Sequence, residues 1–365
     1  MLQLTEPTLL LDKQRCLSNI KMIADKAKEN NLILRPHFKT HQSHEVGRWF
    51  RNFGVTKITV SSLKMAEYFA EDGWNDITVA FPVNVHEKDR INSLTSKITL
   101  NLLVVAPETI SWLAKEVKHK LNILIEVDNG YHRTGVSPAD FSTIDFILKE
   151  IDQHKNFTFA GFLGHAGHSY KTGGDKNKVL AIHKESIDLM TPLKEKYKSR
   201  HSNMVLSTGD TPTCSLADSF PGIDEIRPGN LVFYDIMQVG IKSCSIEDVA
   251  VAMACPVVAI YPERNEVVVY GGGVHFAKDF LKPDEKTVSF GQVVTLTDNG
   301  WSTAETGMYM KSLSQEHGVI YAAKEIAEKI KIGDFLGILP VHSCLTADVM
   351  QEYKTTEGEV ISMMI

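Results

Sequence analysis

Apolar positions return along the first two-thirds of the chain with two alternating periods. After Asp12, Leu17, Ile20, Ile23, Ala24 and Ala27 recur at helical spacing, and the polar "ENN" that follows leads into the apolar run Leu32 to Leu34. This predicts a helix opened by an Asp12 N-cap and feeding a strand. Strand-like runs then follow at 57–62 ("KITVSS"), 76–81, 97–105, 121–128, 157–165, 203–208 and 225–235, with amphipathic segments between most of them. Strands alternating with helices imply a parallel sheet, and eight repeats over about 220 residues fit a (β/α)8 barrel of the TIM type better than an open doubly wound sheet.

The polar residues support that choice. Lys39, His41, Asp128, Arg133, His165, His168, Ser207, Thr208 and Asp235 all fall at or just past C-terminal strand ends, the face on which such barrels carry their active sites. From about residue 245 the texture changes to β-rich runs such as "VAMACPVVAIYP", "EVVVYGGG" and "DFLGILPVH", with one helical stretch near 321–330. A barrel over 13–244 and a second, mainly β domain over 245–365 are therefore expected.

Composition narrows the possible partners. The 365 residues are 43% hydrophobic and carry a formal net charge of -6 without a dense basic block, which argues against nucleic acid or an anionic membrane as partner. The opening "MLQLTEPTLLLDKQR" has no basic region before a long apolar stretch, so a soluble, cytoplasmic protein is expected. Five scattered cysteines (Cys16, Cys214, Cys244, Cys255 and Cys344) without CxxC spacing argue against a disulfide framework.

Candidate chemistry begins at "RPHFKTH" (35–41), where one lysine stands among Arg35, His37 and His41. Cationic neighbours bias an amine toward its neutral, nucleophilic form, which suits a Schiff-base lysine. Imine formation with pyridoxal phosphate also requires a phosphate anchor, control of the pyridine ring and groups that handle protons. "STGDTPT" (207–213) and "RPGN" (227–230) follow late strands, where barrels commonly bind phosphate: Ser207, Thr208, Gly209, Gly229 and Asn230 are candidates, although ordinary turns account for such loops equally well. Arg227 is a candidate for the ring nitrogen or the phosphate, or a simple partner of Glu225.

"VDNGYHRTG" (127–135) supplies Asp128 and Arg133, and "FLGHAGHSY" (162–170) supplies His165 and His168. In "LPVHSCLTAD" (339–348), an extended backbone would turn His342 and Cys344 to one face, an imidazole–thiolate pair suited to Zn²⁺ with positions left open. His317 in "SQEHG" is a candidate base or substrate-positioning group with Glu316 beside it, or half of a surface ion pair.

Taken in order, "RPHFKTH", "VDNGYHRTG", "FLGHAGHSY", "STGDTPT", "EIRPGNLVFYD", "SQEHG" and "PVHSCLTAD" resemble the successive motifs of the D-threonine aldolase and D-serine dehydratase family, fold-type III pyridoxal-phosphate enzymes with an alanine-racemase-like N-terminal barrel. The resemblance runs over essentially the whole chain. It implies Lys39 as the Schiff-base residue, a cofactor site that takes in Tyr234, and metal ligation by His342 and Cys344, with zinc expected and manganese the alternative. It further implies that residues 1–12 join the β domain, that the substrate is a D-amino acid, and that the protein is a homodimer.

Two reactions follow from the same parts: retro-aldol cleavage of a D-3-hydroxy amino acid to glycine and an aldehyde, or β-elimination to a keto acid and ammonia. The family's aldolases tend to place aspartate two residues after the metal-binding histidine and its dehydratases cysteine, as here. The general texture of the motifs is closer to the aldolases, and cleavage is placed first. A racemase is a further alternative, disfavoured because "YGGGVHFAKD" (270–279) offers His275 and no tyrosine after its glycines. A barrel that binds the cofactor without turnover is the non-enzymatic alternative, disfavoured by the full β domain.

Overall fold

Asp12 does open the first helix: its Oδ1 accepts the Arg15 amide at 3.0 Å, and the helix runs Lys13–Glu29. The computed structural model describes residues 3–304 and 306–365. Its chain divides into two units, one formed by Lys21–Lys39 and Gly47–Gly229, the other by Met1–Ile20, Thr40–Val46 and Asn230–Ile365. Among the described residues no helix is long and apolar enough to cross a membrane.

A first strand, β1 (Thr8–Leu11), is followed by β2 (Ile33–Leu34), β3 (Ile58–Val60), β4 (Asp76–Pro82), β5 (Thr99–Val104), β6 (Leu121–Glu126), β7 (Phe157–Leu163), β8 (Val205–Thr208) and β9 (Glu225–Ile226). Strands β2 to β9 form one parallel sheet in the order β2-β9-β8-β7-β6-β5-β4-β3. A parallel bridge between His37 and Thr59, just past β2 and within β3, joins the two ends of that order. The expected (β/α)8 barrel is the observed one.

Inside it, Leu103, Leu124 and Leu163 form a nearly solvent-free layer against Ala80, Ala160 and Val205. Each such leucine contributes roughly 1.5–3 kcal/mol by leaving water. Where β4 and β9 begin, the lining turns polar: Arg35 Nε donates to Glu225 Oε2 at 2.6 Å and Nη1 to Asp76 Oδ1 at 2.7 Å, while Asn101 Nδ2 donates to Asp76 Oδ1 at 2.8 Å. Burial disfavours the charged guanidinium, but the two carboxylates outweigh that and raise its pKa.

The other unit is built on β1 and β10 (Val251–Tyr261), β11 (Glu266–Tyr270), β12 (Gly291–Thr297), β13 (Gly300–Ser302), β14 (Tyr309–Leu313), β15 (His317–Tyr321), β16 (Phe335–Pro340), β17 (Glu352–Thr355) and β18 (Val360–Ser362). Because β11 pairs with both β15 and β10, the six strands β10-β11-β15-β14-β12-β16 close on themselves. β1 lies antiparallel to β10 and parallel to β17. The helix expected near 321–330 is only Lys324–Ala327. Among the described residues none of the five cysteines forms a disulfide.

Candidate functional site

Lys39 owes its presentation to its neighbour. Phe38 is fully buried, with ring centroids 4.9–5.1 Å from Phe50, Phe69 and Trp74, and its amide donates to Thr59 O at 2.8 Å. With Phe38 held inward, the next side chain stands exposed at the carboxyl end of the barrel strands. Among the described residues Lys39 Nζ forms no hydrogen bond or ion pair. Its amide donates to His37 Nδ1 at 3.3 Å, so that nitrogen acts as acceptor and the ring proton belongs on Nε2.

The imidazoles of "RPHFKTH" do not supply the positive charge that the sequence suggested. Burial, followed by the charges of Lys39 and Arg227, holds His37 well below its usual pKa, and burial alone pulls His41 down to about 3. Both rings are uncharged at neutral pH, and Arg35 is spent on its two carboxylates. The cations around the lysine are instead Arg133 and Arg227: burial, then Arg133, Lys39 and Arg227, lower His165 to about 3. Three cations and two neutral imidazoles thus share one electrostatic neighbourhood.

Arg227 is held by a relay. Its Nη1 donates to Ser207 Oγ at 2.5 Å and its Nη2 to Gly164 O at 2.7 Å, while Ser207 Oγ donates to Glu225 Oε1 at 2.5 Å. Ser207 therefore has no further proton to offer a phosphate. Burial lowers Arg227 to about 10, still charged at neutral pH. Thr208 is buried at the end of β8. Gly209 follows at φ +125°, where a Cβ would stand 2.9 Å from the Arg227 amide, so glycine is required. The amides of Gly209 and Gly229 donate to nothing among the described residues. Unused amides beside an unpaired amine and charged guanidinium groups suit an anionic aldehyde, and pyridoxal phosphate fits this donor set.

Arg133 rides on the loop after β6. The loop is pinned at its base by the Asp128 amide donating to Val136 O at 3.0 Å and the Val136 amide donating to Glu126 O at 2.9 Å. Asp128 serves the turn, accepting the amides of Gly130 and His132 and meeting His132 Nδ1 at 2.7 Å. The Arg133 guanidinium lies over the Tyr131 ring, 5.3 Å from its centroid, and the His168 ring stacks against the same tyrosine with centroids 6.2 Å apart. His168 Nδ1 is buried without a partner among the described residues.

The sequence reading passed over Glu126, two positions before Asp128. It is 5% exposed; one oxygen accepts the Thr134 hydroxyl at 2.6 Å and the other has no partner among the described residues. The signal was present in "LNILIEVD": an acidic residue in phase with Leu124, on the barrel's inner face.

The second unit gathers a separate constellation. The stretch around His342 and Cys344 is not extended as expected: β16 ends at Pro340, and a helix, Ser343–Met350, begins with His342 as its N-cap. The cause is Asp235, whose Oδ2 accepts the Ser343 amide at 3.0 Å and so fixes the start of the helix. The pair still meets. Burial would lower the His342 pKa, but a hydrogen bond to Cys344 and the charges of Cys344, Asp235 and Asp279 raise it to about 9.

Cys344 Sγ lies 3.2 Å from Thr40 Oγ1 and accepts from Asn230 Nδ2 at 3.5 Å, and Asn230 Nδ2 also donates to Asp235 Oδ2 at 2.7 Å. Asn230 and Tyr234 thus lie in this unit, Tyr234 buried at φ +48°. Asp279 Oδ2 stands 3.3 Å from His342 Nδ1, the usual carboxylate behind a ligating imidazole. Among the described residues no three His, Cys, Asp or Glu side chains form a metal cluster. The donor set suits zinc in type and offers two ligands, which leaves the remaining positions to water or substrate. His317 is exposed at the start of β15 opposite Tyr270, and His275 Nδ1 accepts the Gly272 amide at 3.1 Å.

Comparison with known proteins agrees with both units. Residues 11–236 match the family model for the alanine racemase N-terminal domain, and residues 250–356 match that for a putative serine dehydratase domain. A D-serine dehydratase from Dictyostelium discoideum is 30% identical, with 98% of this chain and 94% of its own length covered. The D-threo-3-hydroxyaspartate dehydratase of Delftia sp. HT23 is 28% identical over 98% of this chain and 96% of its own. Its solved structure superposes with a TM-score of 0.90 at 26% identity, covering 99% of this chain and 98% of that one. A 3-hydroxy-D-aspartate aldolase from Paracoccus denitrificans is 29% identical over 45% of this chain and 44% of its own.

Proposed function

Because the chain belongs to the D-threonine aldolase and D-serine dehydratase family of fold-type III pyridoxal-phosphate lyases, we propose that it dehydrates a D-3-hydroxy amino acid to a 2-oxo acid and ammonia. The observation that carries the choice of dehydration is Cys344, the thiol joined to His342. Both near-full-length relatives described above are named dehydratases, which supports the same choice. This reverses the order in which the motifs alone placed cleavage and dehydration.

When bound, pyridoxal phosphate supplies an electron sink conjugated to the substrate α-carbon, and a divalent cation on His342 and Cys344 supplies a Lewis acid for the β-oxygen. The chain's own groups do the rest. Lys39, exposed and without a partner among the described residues, would hold the aldehyde and afterwards take the α-proton. The amides of Gly209 and Gly229 would donate to the phosphate oxygens, and Arg227, fixed by Ser207 and Gly164, would be the cation near the cofactor.

His37 and His165 stay uncharged at neutral pH and so add no positive charge next to the lysine. The Cα–H and Cβ–O bonds break, water leaves, and hydrolysis of the product returns one water and frees ammonia. Self-association into a homodimer and the choice of zinc over manganese belong to the same proposal.

Retro-aldol cleavage is the second reading, supported by the partial match to a 3-hydroxy-D-aspartate aldolase. The test is product analysis of metal-replete, cofactor-loaded protein with D-serine, D-threonine and D-threo-3-hydroxyaspartate, run with and without chelator. A 2-oxo acid and ammonia, lost on chelation, are expected. Glycine with an aldehyde would replace dehydration by cleavage.

A further inference from the structure

Thr40 is a buried polar residue in contact with the metal pair that this mechanism leaves unused. It follows Lys39 in "RPHFKTH", is fully buried, and its Oγ1 lies 3.2 Å from Cys344 Sγ. Among the described residues the hydroxyl has no other hydrogen-bond partner. Its segment is tied to the helix Ser343–Met350 and to β17: Gln42 Nε2 donates to Asp348 Oδ1 at 2.7 Å, and the Tyr353 hydroxyl donates to His41 O at 2.9 Å.

The chemistry of the sulfur sets the direction of the contact. A neutral thiol is a weak donor and a weak acceptor, so a buried hydroxyl facing only a thiol gains little against its desolvation, and valine would fill the same space without that cost. A cation binds cysteine as the thiolate, which has no proton to give. The threonine proton then points at the sulfur, in a hydrogen bond strengthened by the charge of its acceptor. Asn230 contributes less, because its two Nδ2 protons face Asp235 Oδ2 at 2.7 Å, Ser343 Oγ at 3.0 Å and, farthest, Cys344 Sγ at 3.5 Å.

We propose that Thr40 is a positioning residue for the metal thiolate: its hydroxyl donates to Cys344 Sγ, fixes the direction of the sulfur and draws charge from it. A sulfur that gives up less charge leaves the cation a stronger Lewis acid toward the substrate's β-oxygen. The inference rests on the reading of His342 and Cys344 as metal ligands, and on the observed contact for the role of Thr40.

The test uses Thr40→Val, Thr40→Ala and Thr40→Ser in the full chain, with Zn²⁺ and Co²⁺ as probes. Valine keeps the shape of threonine and alanine does not, so the first two variants share only the lost hydroxyl; thermal unfolding of the metal-free chain checks that each is folded. Zn²⁺ affinity, read by competition with a chromogenic chelator, should fall about tenfold in T40V and T40A, the scale expected for losing a group that orients a metal ligand, and return toward wild type in T40S.

In the Co²⁺-loaded, cofactor-free chain the sulfur-to-cobalt charge-transfer band should move to longer wavelength in T40V and T40A and stay in place in T40S, because the thiolate loses the donor that stabilises its lone pairs. A threonine that only packs would change thermal unfolding and leave this band where it is. Cobalt bound with unchanged affinity and an unmoved band in T40V or T40A would overturn the role of Thr40 and leave the metal site standing. A wild-type chain without a sulfur-to-cobalt band would remove ligation by Cys344, and with it both this inference and the metal part of the lyase reading.

Discussion

Arg227 Nη1 donates to Ser207 Oγ at 2.5 Å, and this hydroxyl in turn donates a hydrogen bond to Glu225 Oε1. The serine thereby couples a fully buried guanidinium to a carboxylate that Arg35 clamps from the other side. Few alternatives exist for any of the three groups, since all are buried.

Removing the hydroxyl with Ser207→Ala leaves a buried donor on Arg227 and a buried acceptor on Glu225 unpaired. A loss of about 1–3 kcal/mol is expected, measured by urea unfolding of the cofactor-free protein. A change within about 0.5 kcal/mol would show that the two charges re-pair directly.

Arg35→Met should cost more, on the order of 3–5 kcal/mol, because it strands Glu225 and Asp76 together. The sign with pH follows from Asp76. Burial raises its pKa, but Arg35 outweighs this and depresses it in the fold, so its contribution is present above the unfolded value and fades as pH falls through the folded one. The gap in Tm between wild type and variant should be wide at neutral pH and narrow on acidification. A gap that widens instead would refute this account.

Glu126 gives the opposite sign. Burial raises its pKa, so the folded state favours the protonated form, and stability falls as pH rises from the unfolded value through the folded one. Glu126→Gln should therefore stabilise the cofactor-free protein at neutral pH, by on the order of 1 kcal/mol, with the advantage disappearing below the ordinary glutamate range. Calorimetry across pH 4–8, a range set by about that ordinary value, reads it out. A variant less stable than wild type at neutral pH would count against an unsatisfied buried charge.

Lys39→Ala should separate chemistry from folding. The side chain is exposed and makes no bond among the described residues, so unfolding should shift by less than about 0.5 kcal/mol. Schiff-base absorbance should be lost and turnover should drop by about 10²–10⁴-fold or more. Retained absorbance would move the attachment point to another lysine.

The sequence by itself determined the architecture. Alternating apolar periods decide which residues can be buried on a strand or a helix face, and this local constraint made the eight parallel strands, the β-rich unit and the Asp12 cap legible without coordinates. It also placed Lys39 at a strand end, because the pattern that buries Phe38 exposes its neighbour. Charge state and pairing were decided only by tertiary structure.

Whether a histidine in "RPHFKTH" carries charge depends on burial and on Arg133 and Arg227, which lie about a hundred residues or more away in the chain. Ser207 is turned from a phosphate donor into a relay by Glu225, and Glu126 is made conspicuous by one oxygen left without a donor. His342 and Cys344 meet at a helix start rather than along a strand, because Asp235, over a hundred positions earlier, binds the Ser343 amide. Periodicity records which side of an element a residue occupies; desolvation and hydrogen bonding depend on what the rest of the chain brings to that side.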